Sequence, residues 1–188
     1  MTPGKRIFDL ALALVLGVAL LPAGLIIAAL ILMRDGRPVF FVSDRMKTPA
    51  DRFRLWKFRT MAASAGDGGV SGGHKAAQVT RLGRFLRRTR LDEMPQLWNV
   101  LRGDLSFVGP RPPLPSVVAR FPAIYGRVLQ SRPGITGLAT LYFHRHEEWL
   151  MAGCATPDEA RAVYDRRVVA RKARLDLIYQ RRRSLWMD

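Results

Sequence analysis

An uninterrupted run of uncharged residues, Leu10 to Met33, constrains this chain more than any other feature. Its 24 residues lie between Asp9 and Arg34 and are mostly Leu, Ala, Ile and Val. As a helix rising ~1.5 Å per residue it would be ~36 Å long, enough to cross a hydrocarbon core of ~30 Å. It exceeds the apolar stretch of ~7–15 residues found in a cleaved signal peptide, so a resident membrane helix is expected. Pro22 stands at its centre and Gly24 follows. An internal proline removes one main-chain hydrogen bond and costs about 3 kcal/mol, usually producing a kink. Lys5 and Arg6 precede the run, while Arg34 and Arg37 follow it. Positive charge on both flanks favours the cytoplasmic side for both ends. Two topologies stay open on this chemistry: a kinked spanning helix, and a re-entrant hairpin that turns at Pro22.

The rest of the chain is long enough for one compact domain and is strongly basic, with 31 Lys+Arg against 15 Asp+Glu. That balance favours an anionic partner: nucleic acid, an acidic membrane face or a phosphorylated ligand. No helix-turn-helix, zinc finger or RNA-binding signature accompanies the charge, so nucleic acid is not expected. Cys154 is the single cysteine, which excludes an intramolecular disulfide and suits a reducing compartment. His144, His146 and Cys154 lack a fourth metal ligand at a recognised spacing.

Periodicity organises the body. Arg37 to Val42 reads as a loop and then a strand, and Phe53 to Thr60 alternates apolar and polar residues as its hairpin partner, with Thr48 to Asp51 as the turn. Ala62 to Gly73 carries five glycines but no P-loop ending, and reads as a loop able to act as a lid. Thr80 to Thr89 places Leu82, Phe85 and Leu86 on one helical face and Arg81, Arg84 and Arg88 on another. Such a helix is either solvated or interfacial on anionic lipid, where each basic residue contributes ~1 kcal/mol. Arg132 to Thr140 reads as a turn and a short strand, and Ala160 to Arg183 as one or two basic helices.

The chemistry concentrates at Leu91-Asp92-Glu93-Met94-Pro95-Gln96-Leu97-Trp98, directly after the basic segment. Asp92 suits a helix N-cap with Pro95 in the first turn, Met94, Leu97, Trp98 and Leu101 facing a core, and Gly103 as the stop. Capping alone would account for the pair. The same position would also favour an ionised Asp92 able to act as a nucleophile and form an acyl phosphate. A second carboxylate beside it can hold Mg²⁺, a hard cation that bridges phosphates.

Several blocks carry a family resemblance. The run LDEMPQLWNVLRGDLSFVGPRP from Leu91 to Pro112, KFRTM from Lys57 to Met61 and RPGITG from Arg132 to Gly137 resemble the signatures of the bacterial sugar transferases, the monotopic phosphoglycosyl transferases. Asp176 to Tyr179 and Ser184 to Asp188 resemble the family's closing motif. The resemblance implies an α+β fold. Residues 1–36 would form a re-entrant membrane helix broken at Pro22. Residues 37–188 would form a small, mostly helical cytosolic domain with a short β-hairpin and interfacial amphipathic helices. Here Leu21-Pro22 stands where the family often has Ser-Pro.

The resemblance also implies an activity: transfer of a phosphosugar from a UDP-sugar to a polyprenol phosphate such as undecaprenyl phosphate. UMP and a polyprenyl-diphospho-sugar would form through a covalent Asp-phosphosugar intermediate, as the first membrane step of exopolysaccharide or glycoconjugate synthesis. Asp92 would be the nucleophile and Glu93 its Mg²⁺ partner, with both carboxylates at the metal. Lys57, Arg59, Arg88, Arg111 and Pro112 would line the substrate site, with Arg111 held rigid between Pro110 and Pro112. Residues 141–160, where the family varies, would carry substrate-specific contacts. The implied location is the cytoplasmic face of a bacterial inner membrane, in contact with anionic lipids, with a homo-oligomer left open. A non-catalytic membrane-surface scaffold is the rival reading.

Overall fold

The computed structural model describes residues 1–62 and 78–184. Most of the glycine-rich segment Ala62 to Gly73, with its lid reading, and the terminal run after Ser184 lie outside the described residues.

The uncharged run forms the helix α1, Pro3–Arg34. Thr2 caps its start, its Oγ1 accepting from the Lys5 amide, and Pro3 occupies the first turn, where a missing N–H costs nothing. Pro22 sits inside this single helical element, so the expected break does not separate two helices. One stripe of α1 faces the protein, with Asp9, Ala13, Ile27 and Ile31 buried. The opposite stripe, including Leu14, Val18, Leu21 and Leu25, is exposed and apolar. Exposed leucine and valine at this density do not suit a water-facing surface.

Both ends of α1 are fastened to the same body. Near its start, the Arg6 guanidinium donates to the carbonyls of Val100 and Leu101 at 2.7 and 2.9 Å. Near its end, Arg59 donates to the carbonyls of Asp35 and Gly36 at 2.7 and 2.6 Å, and Thr80 Oγ1 donates to the Asp35 carboxylate.

Strands β1, Phe40–Met46, and β2, Arg52–Phe58, form the antiparallel hairpin that alternation predicts. Phe53, Leu55 and Phe58 turn inward, while Arg52 and Arg54 stay exposed. Helix α2, Arg81–Thr89, is capped by Thr80 and packs Leu86 into a cluster with Ile27, Ile31 and Phe58. Gly83 lies against the Thr60 carbonyl so closely that a Cβ would overlap it. A short 3₁₀ turn, Leu91–Glu93, then leads into α3, Gln96–Arg102, which ends at Gly103 in the left-handed region.

Two expectations are corrected here. Asp92 is not the cap of α3, because Arg90 is left-handed and the helix starts only after Pro95. Trp98 is 53% exposed rather than in the core, where Val100 is fully buried instead.

Strand β3, Ser106–Val108, pairs in parallel with β4, Gly134–Thr136. This pairing lets Gly109 and Gly134 approach without side chains between them. Helices α4, Pro115–Arg120, and α5, Pro122–Val128, cover a second core with Met46, Val169 and Ala173. Helix α6, Leu138–Ala152, starts directly after β4, and α7, Pro157–Val163, carries a capping box at Thr156 and Glu159. A π-helical turn, Tyr164–Val168, joins α7 to α8, Val169–Arg182. The fold is therefore α+β and mostly helical, with a long apolar helix against a small body.

Candidate active site

The hairpin and the 3₁₀ turn bring the acidic pair to the basic residues. Asn99, fully buried at the core of α3, fixes their relation. Its amide donates to the Arg54 carbonyl at 2.7 Å, and its Oδ1 accepts from the Trp56 amide at 3.1 Å. Lys57, one residue further along β2, thereby faces the turn that carries Asp92 and Glu93. The sequence reading did not single out Asn99, since a polar residue inside an apolar helix signals burial only once its partners are known.

Glu93 is the anchor of the site. Its Oε1 accepts from Lys57 Nζ at 2.7 Å and from Arg111 Nη2 at 2.9 Å, with Arg90 Nη1 at 3.8 Å. Burial opposes ionisation of Glu93, but the charges of Arg111 and Lys57 and their hydrogen bonds outweigh it and hold the carboxyl at about 2. Lys57 is driven the other way. Burial and repulsion from Arg111 pull its ammonium down to about 8, although Glu93 pulls it back up. Arg111 leaves the chain between Pro110 and the buried Pro112, as expected, and 32% of its side chain remains accessible.

Asp92 differs from its neighbour. It is 7% exposed, and its Oδ1 is buried without a hydrogen-bond partner among the described residues. Burial and the adjacent Glu93 charge raise its pKa, against Lys57, Arg87 and Arg90. The helix-terminus argument for a depressed pKa thus fails, because no α-helix starts at Asp92. An unpartnered buried carboxylate oxygen costs free energy unless a ligand completes it. It is also the oxygen best able to receive a cation or a phosphorus atom. Among the described residues no cluster of three or more acidic, histidine or cysteine ligands exists. A Mg²⁺ ion shared with substrate phosphates needs only one or two carboxylates, so the Asp92 oxygen fits such an ion.

The remaining expected residues divide. Arg59 is buried, but its guanidinium is spent on the carbonyls of Asp35, Gly36 and Arg37 rather than on the acidic pair. It closes the end of α1. Arg88 is exposed on α2 and is not brought to the pair. Arg87 takes that place: its Nε donates to Thr60 Oγ1 at 2.9 Å, and its charge acts on Asp92. Pro22 is exposed on α1 and forms none of these contacts among the described residues, while two residues on a Cβ at Gly24 would lie 3.7 Å from Met94 and 4.0 Å from Phe58. From the closing motif, Tyr179 donates its hydroxyl to the Val108 carbonyl at 3.0 Å and ties α8 to the strand that leads to Arg111.

A family model described as bacterial sugar transferase matches residues 2–188. The chain is 34% identical over 192 residues to an undecaprenyl-phosphate glucose phosphotransferase of Komagataeibacter xylinus, covering 98% of this chain and 33% of that protein. It is also 34% identical to a UDP-glucose:undecaprenyl-phosphate glucose-1-phosphate transferase of Xanthomonas campestris pv. campestris, covering 98% and 36%. A UDP-N-acetylgalactosamine-undecaprenyl-phosphate N-acetylgalactosaminephosphotransferase of Aeromonas hydrophila is 32% identical, with 98% and 40% covered. The chain spans little more than a third of the length of these relatives. With the family model matching nearly its whole length, the chain belongs to the bacterial sugar transferase family.

Proposed function

We propose that this chain transfers a sugar phosphate from a UDP-sugar to undecaprenyl phosphate through Asp92. One observation carries the reading: a buried Asp92 with an unpartnered oxygen stands beside a Glu93 that two cations hold ionised. The names of the relatives supply the substrate class. An Asp92 oxygen attacks the phosphorus that bears the sugar. The bond from that phosphorus to the bridging oxygen breaks, and UMP leaves with the electron pair. An acyl phosphate then holds the phosphosugar on Asp92. An oxygen of undecaprenyl phosphate attacks the same phosphorus, the Asp92 oxygen departs, and the carboxylate is restored.

The raised pKa of Asp92 means a more basic, less hydrated carboxylate, which suits nucleophilic attack. Arg111 and Lys57 keep Glu93 in place and offset the charge of the diphosphate. When bound, Mg²⁺ would be held by the carboxylates of Asp92 and Glu93 and would supply neutralisation of the phosphate charge. The test is direct. The full chain with Mg²⁺ and undecaprenyl phosphate should release UMP from UDP-glucose, UDP-galactose or UDP-N-acetylgalactosamine. No UMP from any nucleotide sugar would refute the activity.

A re-entrant α1 is the topology we infer from the attachment of both ends to one body. A spanning helix would place Arg6 and Asp35 on opposite sides of the bilayer, yet both contact the catalytic body. The body would then lie on the cytoplasmic face of a bacterial inner membrane, with Phe85 and the arginines of α2 at an anionic surface. Cysteines placed at Thr2 and Arg37 in a Cys154→Ser background should react equally with an impermeant thiol reagent added to one side. Opposite reactivity would establish a spanning helix. Pro22→Ala tests whether proline sets the bend; retained topology and activity would assign the bend to the attachments of Arg6 and Arg59.

The Lys57 ammonium gives the reaction an alkaline limit. Above pH about 8 Lys57 loses its proton and Glu93 one of its two close cations, so kcat/KM should fall with an apparent pKa near that value. Because the folded value lies below the ordinary 10.5, this group favours the folded state increasingly between about 8 and 10.5. Activity would therefore fall while the contribution of Lys57 to stability rises, which separates titration from unfolding. In Lys57→Arg the limb should move to higher pH; an unmoved limb would remove Lys57 from the explanation.

A further inference from the structure

Arg111 has an acidic neighbour besides Asp92 and Glu93, and the mechanism does not use it. The segment after Arg111 is seated on β1: the Met46 amide donates to the Pro113 carbonyl at 3.0 Å, and Arg45 Nη1 donates to the Pro112 carbonyl at 3.5 Å. Met46 shares a core cluster with Val169 and Ala173 of α8, and Tyr164 of the π-helical turn packs against it. Lys172, next to Ala173, reaches from there to α6. Its Nζ donates to Glu147 Oε2 at 2.9 Å and lies 5.9 Å from the centre of the Tyr164 ring. The packing thus carries Glu147 to the side of the body that holds Arg111. The electrostatics agree with it. Burial works against the charge of Arg111, and Glu93, followed by Glu147, outweighs it. Burial also raises the Tyr164 hydroxyl, on which Lys172, Glu147, Arg45 and Arg111 all act.

Only one oxygen of Glu147 is spent on Lys172. Its Oε1 accepts no hydrogen bond among the described residues, and it is not enclosed, since 23% of the Glu147 side chain is accessible. Arg111 keeps 32% of its side chain accessible as well. A lone carboxylate close to Arg111 would repel a diphosphate. Lys172, itself 12% accessible, cancels that charge and leaves an acceptor of fixed direction. Such an oxygen suits a neutral hydroxyl, because a hydrogen bond to an ionised acceptor is about twice as strong as one between neutral groups.

We propose that Glu147 is a specificity-determining residue that accepts a hydrogen bond from a hydroxyl of the donor's sugar, with Lys172 holding it in place; this role rests on the UDP-sugar activity proposed for the chain. Connectivity selects the sugar over the ribose. Asp92 attacks the phosphorus that bears the sugar, and Arg111 stands at that diphosphate through Glu93. The sugar is bonded to the attacked phosphate, whereas the ribose lies beyond the second phosphate. An acceptor close to Arg111 therefore meets the sugar hydroxyls first. A site built to bond a hydroxyl discriminates strongly against a ligand that lacks it.

The test compares UDP with UDP-glucose, UDP-galactose and UDP-N-acetylgalactosamine. Binding to the full chain in detergent with Mg²⁺ is measured by calorimetry in an Asp92→Asn background, where no sugar phosphate is transferred. Glu147→Gln keeps the size of the side chain and a partner for Lys172. It should weaken the best-bound UDP-sugar at least about fivefold, in keeping with loss of a charge-assisted hydrogen bond, and leave UDP unchanged. Lys172→Met should weaken both ligands, because it frees the Glu147 charge to repel the diphosphate. Arg171→Gln removes the neighbouring contact from α8 to His146 of α6 and should change neither. Equal weakening of UDP and UDP-sugar by Glu147→Gln would overturn the sugar assignment. An equal loss in Arg171→Gln would reduce Glu147 to a tie between the two helices, and unchanged binding in Lys172→Met would remove the compensated charge; either overturns the role. UMP release by the native chain, with unaltered UDP-sugar binding in Glu147→Gln, would overturn this role alone. Absence of both UMP release and UDP-sugar binding would overturn it together with the activity.

Discussion

Asp92→Asn should abolish the covalent intermediate and lower turnover by at least about a thousandfold, the scale expected when a nucleophile is removed. The substitution keeps size and planarity, so the 3₁₀ turn at Leu91–Glu93 should persist. What it removes is an anionic oxygen. An amide oxygen at that position cannot form a stable bond to phosphorus and return as a carboxylate. The measurement is intact mass after mixing enzyme, UDP-sugar and Mg²⁺ without undecaprenyl phosphate. The native chain should gain one phosphosugar, on a peptide containing Asp92, and the variant should gain nothing. Folding should not suffer, because the wild-type carboxylate is itself buried with an unpartnered oxygen and a raised pKa. An adduct on another residue would move the nucleophile. No adduct in the native chain, with UMP released only when both substrates are present, would mean direct attack by the acceptor on the donor. A scaffold, by contrast, would keep its cellular function in Asp92→Asn.

The parts of this structure legible in the sequence are those set by local pattern. A charge-free stretch between Asp9 and Arg34 is long and apolar enough to cross a membrane, and it is one helix. Arg52 to Phe58 alternates strictly enough at its start to fix both strand and face. The acidic pair, Lys57 and Arg111 were identified from motif blocks and meet in space.

Long-range geometry was less legible. Arg87 and Arg88 are adjacent and chemically alike, and which one turns toward Asp92 depends on α2 seating through Gly83 against Thr60. Arg59 sits in a motif that suggests phosphate, but the end of α1 presents three carbonyls that claim it. For Asp92, the local rule favoured a helix cap. The left-handed Arg90 and the delayed start of α3 instead bury the carboxylate and reverse the direction of its pKa. Strands β3 and β4 have three residues each, too few for any periodicity, and their pairing rests on the contact between Gly109 and Gly134.

Glu93→Gln should be the most damaging change to the fold at this site as well as to catalysis. Glu93 is 8% exposed and neutralises Lys57 and Arg111, whose side chains are 17% and 32% exposed. Glutamine can accept one hydrogen bond in the same place but leaves two cations facing each other without an anion between them. Breaking a buried ion pair by removing one partner costs about 3–5 kcal/mol. The partial exposure of Arg111 places the expected loss toward the lower end of that range, about 3 kcal/mol, a fall of roughly 6–12 °C in melting temperature at the ~2–4 °C per kcal/mol of a chain this size. The penalty should depend on pH in a defined direction. The folded pKa of Glu93, about 2, lies below its ordinary 4.5, so the stabilisation is complete above about 4.5 and is lost as pH falls toward 2. The difference between native and variant chains should therefore shrink across that window. A second substitution separates charge from shape: adding Lys57→Met removes one of the stranded cations and should recover part of the stability. Activity should not return with it, because Glu93 and Lys57 both serve the diphosphate. Full stability in Glu93→Gln at pH 7, or recovery of turnover in the double variant, would contradict the role of Glu93 as the anion that organises this site.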